Sequence, residues 1–122
     1  MAGRLASSHS TAYDRRASAV ALGELRYEPG VGSLMDALAD SIAAVRKSAA
    51  RALGKRGDRE ALQAISPRLN DEDAEVRRAA VWAYGRLGTA EEIKQGVAPL
   101  GDDESLGVRR QVEWVLEHLM KK

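Results

Sequence analysis

The 122-residue chain has no Cys and no Phe, and its aromatic residues are two Trp and three Tyr. Without Cys there are no disulfides, thiolate zinc sites or cysteine nucleophiles, which fits a cytoplasmic setting. No apolar run approaches ~18 residues, so no segment reads as a membrane span. The N-terminal MAGRLASSHS also lacks the apolar stretch of a secretory signal. It is basic, Ser-rich and free of acids up to Asp14, and residues 1–10 read as a flexible tail rather than a transit peptide. The chain also has little net charge, a formal +1, so nothing global draws it to nucleic acid or acidic membranes. Any charge argument is therefore local.

What is there is alanine, about one residue in six, with Leu and Val. A domain of this size buries roughly two thirds of its unfolded surface, and here small side chains must do the filling. Ala and Leu are strong helix formers, so the expected architecture is all-α, with thin, closely packed helical layers.

Sliding the sequence against itself by 31 positions aligns Leu22, Leu53 and Tyr84, each followed by Gly (Gly23, Gly54, Gly85). The same offset aligns Val31, Leu62 and Ile93; Leu38, Leu69 and Leu100; and Asp40, Asp71 and Asp102. It also places Val45-Arg46 on Val76-Arg77. One inserted residue near Leu106-Gly107 continues the pattern to Val108-Arg109, and Arg15 takes the Arg46 place upstream. A single domain over 11–122 follows: a half-unit at 11–28, then repeats at about 29–57, 58–88 and 89–120.

Each unit reads as two helices. Val45, Ala49, Ala52 and Leu53 occupy one face of a 3.6-residue period. Gly54 and Gly57 are read as ending that helix, since glycine tolerates left-handed geometry. Asp58, Asp73 and Thr89 supply side-chain oxygens for following helix starts, and Thr89 with Glu92 has capping-box spacing. First helices are expected at 29–38, 59–69 and 90–100, and second helices at 11–25, 43–56, 74–87 and 105–120. Pro29 suits a first turn, whereas Pro67 and Pro99 fall late and should kink or end their helices.

The motif DxxxxVRxxAxxALGxxGD, followed by DEDAEVRRAAVWAYGRLGT, resembles the HEAT-like repeat family, in particular the short type named after phycobilisome lyases. The resemblance covers about residues 11–120. It implies a right-handed α-solenoid of about three and a half helical hairpins, each stacked on its neighbours. It also implies that Arg46, Arg77 and Arg109, with Asp40, Asp71 and Asp102, form a structural interrepeat ladder, and that second helices face a concave surface. The functional settings it suggests are protein-binding scaffolds and bilin lyase subunits or phycobilisome-associated proteins.

At 100° per residue, Lys47, Arg51 and Lys55 lie opposite the apolar stripe. Carried across the repeats, one row reads Arg16, Lys47, Arg78, Arg110; the next Val20, Arg51, Trp82, Trp114; a third Glu24, Lys55, Arg86, His118. Both tryptophans thus fall on positions expected to be exposed among arginines, the composition of a binding hot spot. The alternative is structural: Trp82 folds over its own helix and packs on the neighbouring repeat, and the charges are a solvated face. The partner expected for the binding face is a protein or peptide with acidic residues, which Arg pairs bidentately. Acidic loops at Asp71-Glu72-Asp73 and Asp102-Asp103-Glu104 argue against nucleic acid. The open N-terminal half-repeat is a further surface, suited to a second copy.

Catalytic signals are thin. Gly30-Val31-Gly32 lacks the strand and third glycine of a phosphate loop. The acidic clusters suit helix N-termini better than a metal. The iron-dependent hydroxylases built on such repeats use His-Glu pairs, but here the histidines are His9, in the tail, and His118, preceded by Glu117. No nucleophile with a matching base is apparent. The reading is a non-catalytic interaction module without cofactor or metal.

Overall fold

The computed structural model describes residues 30–120, and every regular element among them is helical. The expected tail, the helix at 11–25 and Pro29 lie outside the described residues. The elements are α1 (Gly30–Ala37), α2 (Ala43–Arg56), α3 (Leu62–Ile65), α4 (Ala74–Leu87), α5 (Ala90–Gly96) and α6 (Leu106–His118), with 3-10 turns at Arg59–Ala61, Ser66–Asn70 and Ala98–Asp102. The chain is an all-α solenoid. Its second helices α2, α4 and α6 stack side by side, with α4 in the middle, and the short first-helix segments pack behind them.

The second helices form where the 3.6-residue period is cleanest. Val45, Ala49, Ala52 and Leu53 are all buried on α2, as are Val108, Val112 and Val115 on α6. The first helices of the last two units are short and broken. Each passes into a 3-10 turn with Pro67 or Pro99 near its start, because proline offers no N–H to continue the α pattern. Asp73 caps α4 by accepting from the N–H groups of Glu75 and Val76. Thr89 and Glu92 form the expected capping box. Asp58 does not cap: its carboxylate accepts from Arg56 Nε at 2.8 Å.

Two glycines have different roles from one another. Gly57, at φ 75°, ends α2 with its N–H bonded to the Leu53 carbonyl. Gly54 does not end the helix. It lies inside α2 against α4, where a Cβ would stand 2.6 Å from Trp82 Cζ3. The extra residue of the last unit is also placed differently from the expectation. Buried Leu62 and Ile65 are three apart, whereas their counterparts Ile93 and Val97 are four apart. The insertion therefore sits in α5, upstream of Leu106-Gly107.

That shift decides the ladder. Arg46 Nε and Nη2 donate to Asp71 at 2.8 and 3.0 Å, across to the next unit, while Nη1 donates to the Asp40 carbonyl. Arg77 repeats the arrangement with Asp103 at 2.9 and 3.0 Å and the Asp71 carbonyl. The aspartate in this place is Asp103 rather than Asp102, which is exposed. Arg109 donates to the carbonyls of Asp103 and Glu104. Arg46 and Arg77 thus each take the main-chain carbonyl six residues back and the carboxylate of the following unit, and Arg109 takes the carbonyl six back. Burial alone would raise the Asp71 carboxyl, but the Arg46 fork and the Asp73 N–H hold it below the usual carboxylate range. Arg77 does the same for Asp103.

A second interrepeat tie joins Arg59 to Glu92 at 2.7 and 2.8 Å, with Arg59 also donating to the Leu87 carbonyl. The hydrogen bonds from Arg59 and from the Thr89 N–H lower the Glu92 carboxyl from 4.5 to about 2. A carboxyl depressed by folding contributes stability above its unfolded pKa, and that contribution is lost as pH falls through the folded value. Acid unfolding is therefore expected to show a Glu92 component between pH 4.5 and about 2. Glu92→Gln should flatten the stability profile in that window; an unchanged slope would mean that the tie does not persist in solution.

Candidate functional site

A groove of about 610 Å³ crosses the second helices α2, α4 and α6, within the range of ligand-binding clefts. From α2 it is lined by Lys47 and Arg51, and from α4 by Glu75, Arg78, Ala79 and Trp82. From α6 come Leu106, Gly107, Arg110, Gln111 and Trp114. The stacking of equivalent helices brings equivalent positions side by side. Lys47, Arg51, Arg78, Trp82, Arg110 and Trp114 of the rows expected to form the binding face therefore meet here. Lys55 is exposed but does not line the groove. Arg86 is drawn elsewhere: its guanidinium lies 5.5 Å from the Trp82 ring centre, and its Nε donates to the Gly54 carbonyl at 3.1 Å.

The tryptophans differ. Trp82 is half-buried, not exposed, because its ring lies against the Cβ-free surface of Gly54 on the preceding second helix. One part of the indole is thus structural and another lines the groove. Trp114 is 42% exposed and stacks on His118 at 4.7 Å and 17°. The His118 Nδ1 lies 2.9 Å from the Trp114 carbonyl, so the ring is held one turn along α6. Beside the indoles, Leu106 is 52% exposed. Exposed apolar side chains rimmed by charge mark an interaction surface more strongly than the charges alone.

The groove's electrostatics are uneven. Glu75 lies 3.5 Å from Lys47 Nζ and 3.6 Å from Arg78 Nη1, and it partly compensates both. Arg51 and Arg110 are exposed and make no ion pair with a described residue. The groove lining thus holds four cationic side chains and one carboxylate, and the cations uncompensated among the described residues are Arg51 on α2 and Arg110 on α6. Glu75, Leu106 and Gln111 were not singled out from sequence. Glu75 and Leu106 open their helices a turn before the aligned rows, and only the 3.6-residue wrap brings them to the same face. Among the described residues no His, Asp or Glu cluster is arranged to hold a metal ion, and no helix is long and apolar enough to cross a membrane.

The family model of HEAT repeats matches the chain twice, over residues 4–69 and 33–117. No curated protein matches it.

Proposed function

The chain belongs to the HEAT repeat family, and we propose that it is a non-catalytic interaction module holding an acidic protein segment in the groove across α2, α4 and α6. HEAT repeats are commonly protein-interaction scaffolds and generally non-enzymatic. The observation that carries the reading is the pairing of two partly exposed indoles with two arginines that pair with no acid among the described residues, all in one groove. Arginine beside tryptophan is the composition of interface hot spots, and a guanidinium fork matches a carboxylate. The exposed carboxylates of Glu72 and Glu104, 92% and 91% accessible, precede α4 and α6. They would repel a phosphate backbone passing over that edge.

Selection from a library of short random peptides tests this. Acidic sequences with apolar residues should be enriched, and Arg51→Glu with Arg110→Glu should weaken them at least about tenfold, or about 1.4 kcal/mol, without loss of helicity. Enrichment of acid-free sequences, or binding indifferent to the double reversal, would overturn the proposal. Because both tryptophans of the chain line the groove, their fluorescence reports occupancy directly. Trp114→Ala is the clean probe, since that ring is exposed.

A further inference from the structure

The groove's charge is arranged in a way that selects among acidic segments. The two arginines that make no ion pair with a described residue stand on either side of α4, Arg51 on α2 and Arg110 on α6. The central helix α4 offers instead Ala79 and the groove side of Trp82, and its own cation Arg78 is shared with Glu75. Read obliquely across the helices, from Arg51 on α2 to Arg110 about one turn nearer the start of α6, the order is cation, apolar floor, cation, with Trp114 and Leu106 extending the apolar part toward α6. Packed helix axes lie about 8–10 Å apart, so the axes of α2 and α6 are separated by about 16–20 Å, and both arginines line the groove between them.

Resting on the acidic-segment reading above, we infer that the occupant is an extended peptide segment crossing the helices with an acidic residue, an apolar residue and a second acidic residue at alternate positions. In an extended chain alternate side chains point to one face, and a rise of about 3.3 Å per residue separates the first and fifth by about 13 Å. Because both arginine side chains line the groove between those axes, that span lets one carboxylate meet Arg51 and the other Arg110, with the apolar side chain over Ala79 against the indoles. A helical occupant rises only about 1.5 Å per residue and would need about nine residues for the same span. A segment with its acids adjacent satisfies one arginine and leaves the other without a counter-charge.

The test uses two capped peptides of identical composition, one containing Glu-Ser-Leu-Ser-Glu and the other Glu-Glu-Leu-Ser-Ser, titrated against the full chain by tryptophan fluorescence. The alternating peptide is expected to bind about tenfold more tightly. Arg51→Gln and Arg110→Gln should each remove that preference, whereas Lys94→Gln, on exposed α5 surface outside the groove, should keep it. Equal affinities for the two peptides, or a preference that survives both arginine changes, would overturn the inference. The acidic reading itself would still stand if acidic sequences emerge from the library selection and depend on Arg51 and Arg110; if none do, the reading and the inference fall together.

Discussion

Asp71→Ala is expected to lower the unfolding free energy by about 3–5 kcal/mol, the cost of removing one partner from a buried ion pair. The Asp71 side chain is 2% exposed and the Arg46 side chain 7%, so the guanidinium left behind is buried, with only the Asp40 carbonyl and the Glu72 carboxylate, 4.0 Å from Nη2, beside it in place of the two lost bonds. The same change strips the Asp73 N–H of its acceptor at the entry to α4 and releases Arg68. Against a total stability of about 5–15 kcal/mol for a small domain, this is a large fraction. The loss falls on the contact between neighbouring units, which carries much of the stability of a solenoid. Changing both partners, Arg46→Met with Asp71→Leu, should cost less than the single change, since no charge is stranded. It should still cost something, because the Asp73 N–H and the Asp40 carbonyl lose their partners. Urea denaturation followed by circular dichroism measures both variants. A loss below about 1 kcal/mol for Asp71→Ala, or a double variant less stable than the single, would show that the pair is solvated.

The architecture is legible in the sequence because its signals are local and repeated. The 31-residue offset, the Val45, Ala49, Ala52, Leu53 stripe and the Thr89 to Glu92 spacing each depend on neighbours within a few residues or on a whole period. Lateral contacts depend on which residues meet between units, and no local spacing encodes that. Arg46 and Asp40 are six apart in the chain, but the carboxylate that Arg46 holds belongs to Asp71. The confusion of Asp102 with Asp103 has the same origin, since the position of one inserted residue in α5 becomes visible only through the spacing of buried Ile93 and Val97. The alignment of the groove residues was readable, because rows at a fixed helical offset stack when the helices do. The packing of Trp82 on the neighbouring repeat is legible only as an alternative, and the diversion of Arg86 not at all, because both depend on what meets at Gly54.

Gly54→Ala tests that dependence, and its expected sign is the reverse of what helix propensity predicts. Inside a helix the change normally gains about 1 kcal/mol. Here the new methyl carbon would stand 2.6 Å from Trp82 Cζ3 and 3.0 Å from both Trp82 Cε3 and the Ala83 Cα. The indole is not a flexible end that swings away, since Arg86 covers it and bonds to the Gly54 carbonyl. The backbone at Ala83 cannot yield without moving α4. Overpacking of this kind costs about 1–3 kcal/mol, so the net effect after the propensity gain is a loss of up to about 2 kcal/mol. Displacing the indole should also shift tryptophan emission and weaken peptide binding in the groove, coupling a packing change on α2 to the site. Combining Gly54→Ala with Trp82→Ala should cost less than the two separate losses added together, by roughly 0.5–3 kcal/mol, because the methyl then occupies space the ring has vacated. A Gly54→Ala protein more stable than its parent, with unchanged emission, would mean that α2 and α4 pack less closely than described and that Trp82 owes its place to something other than the glycine.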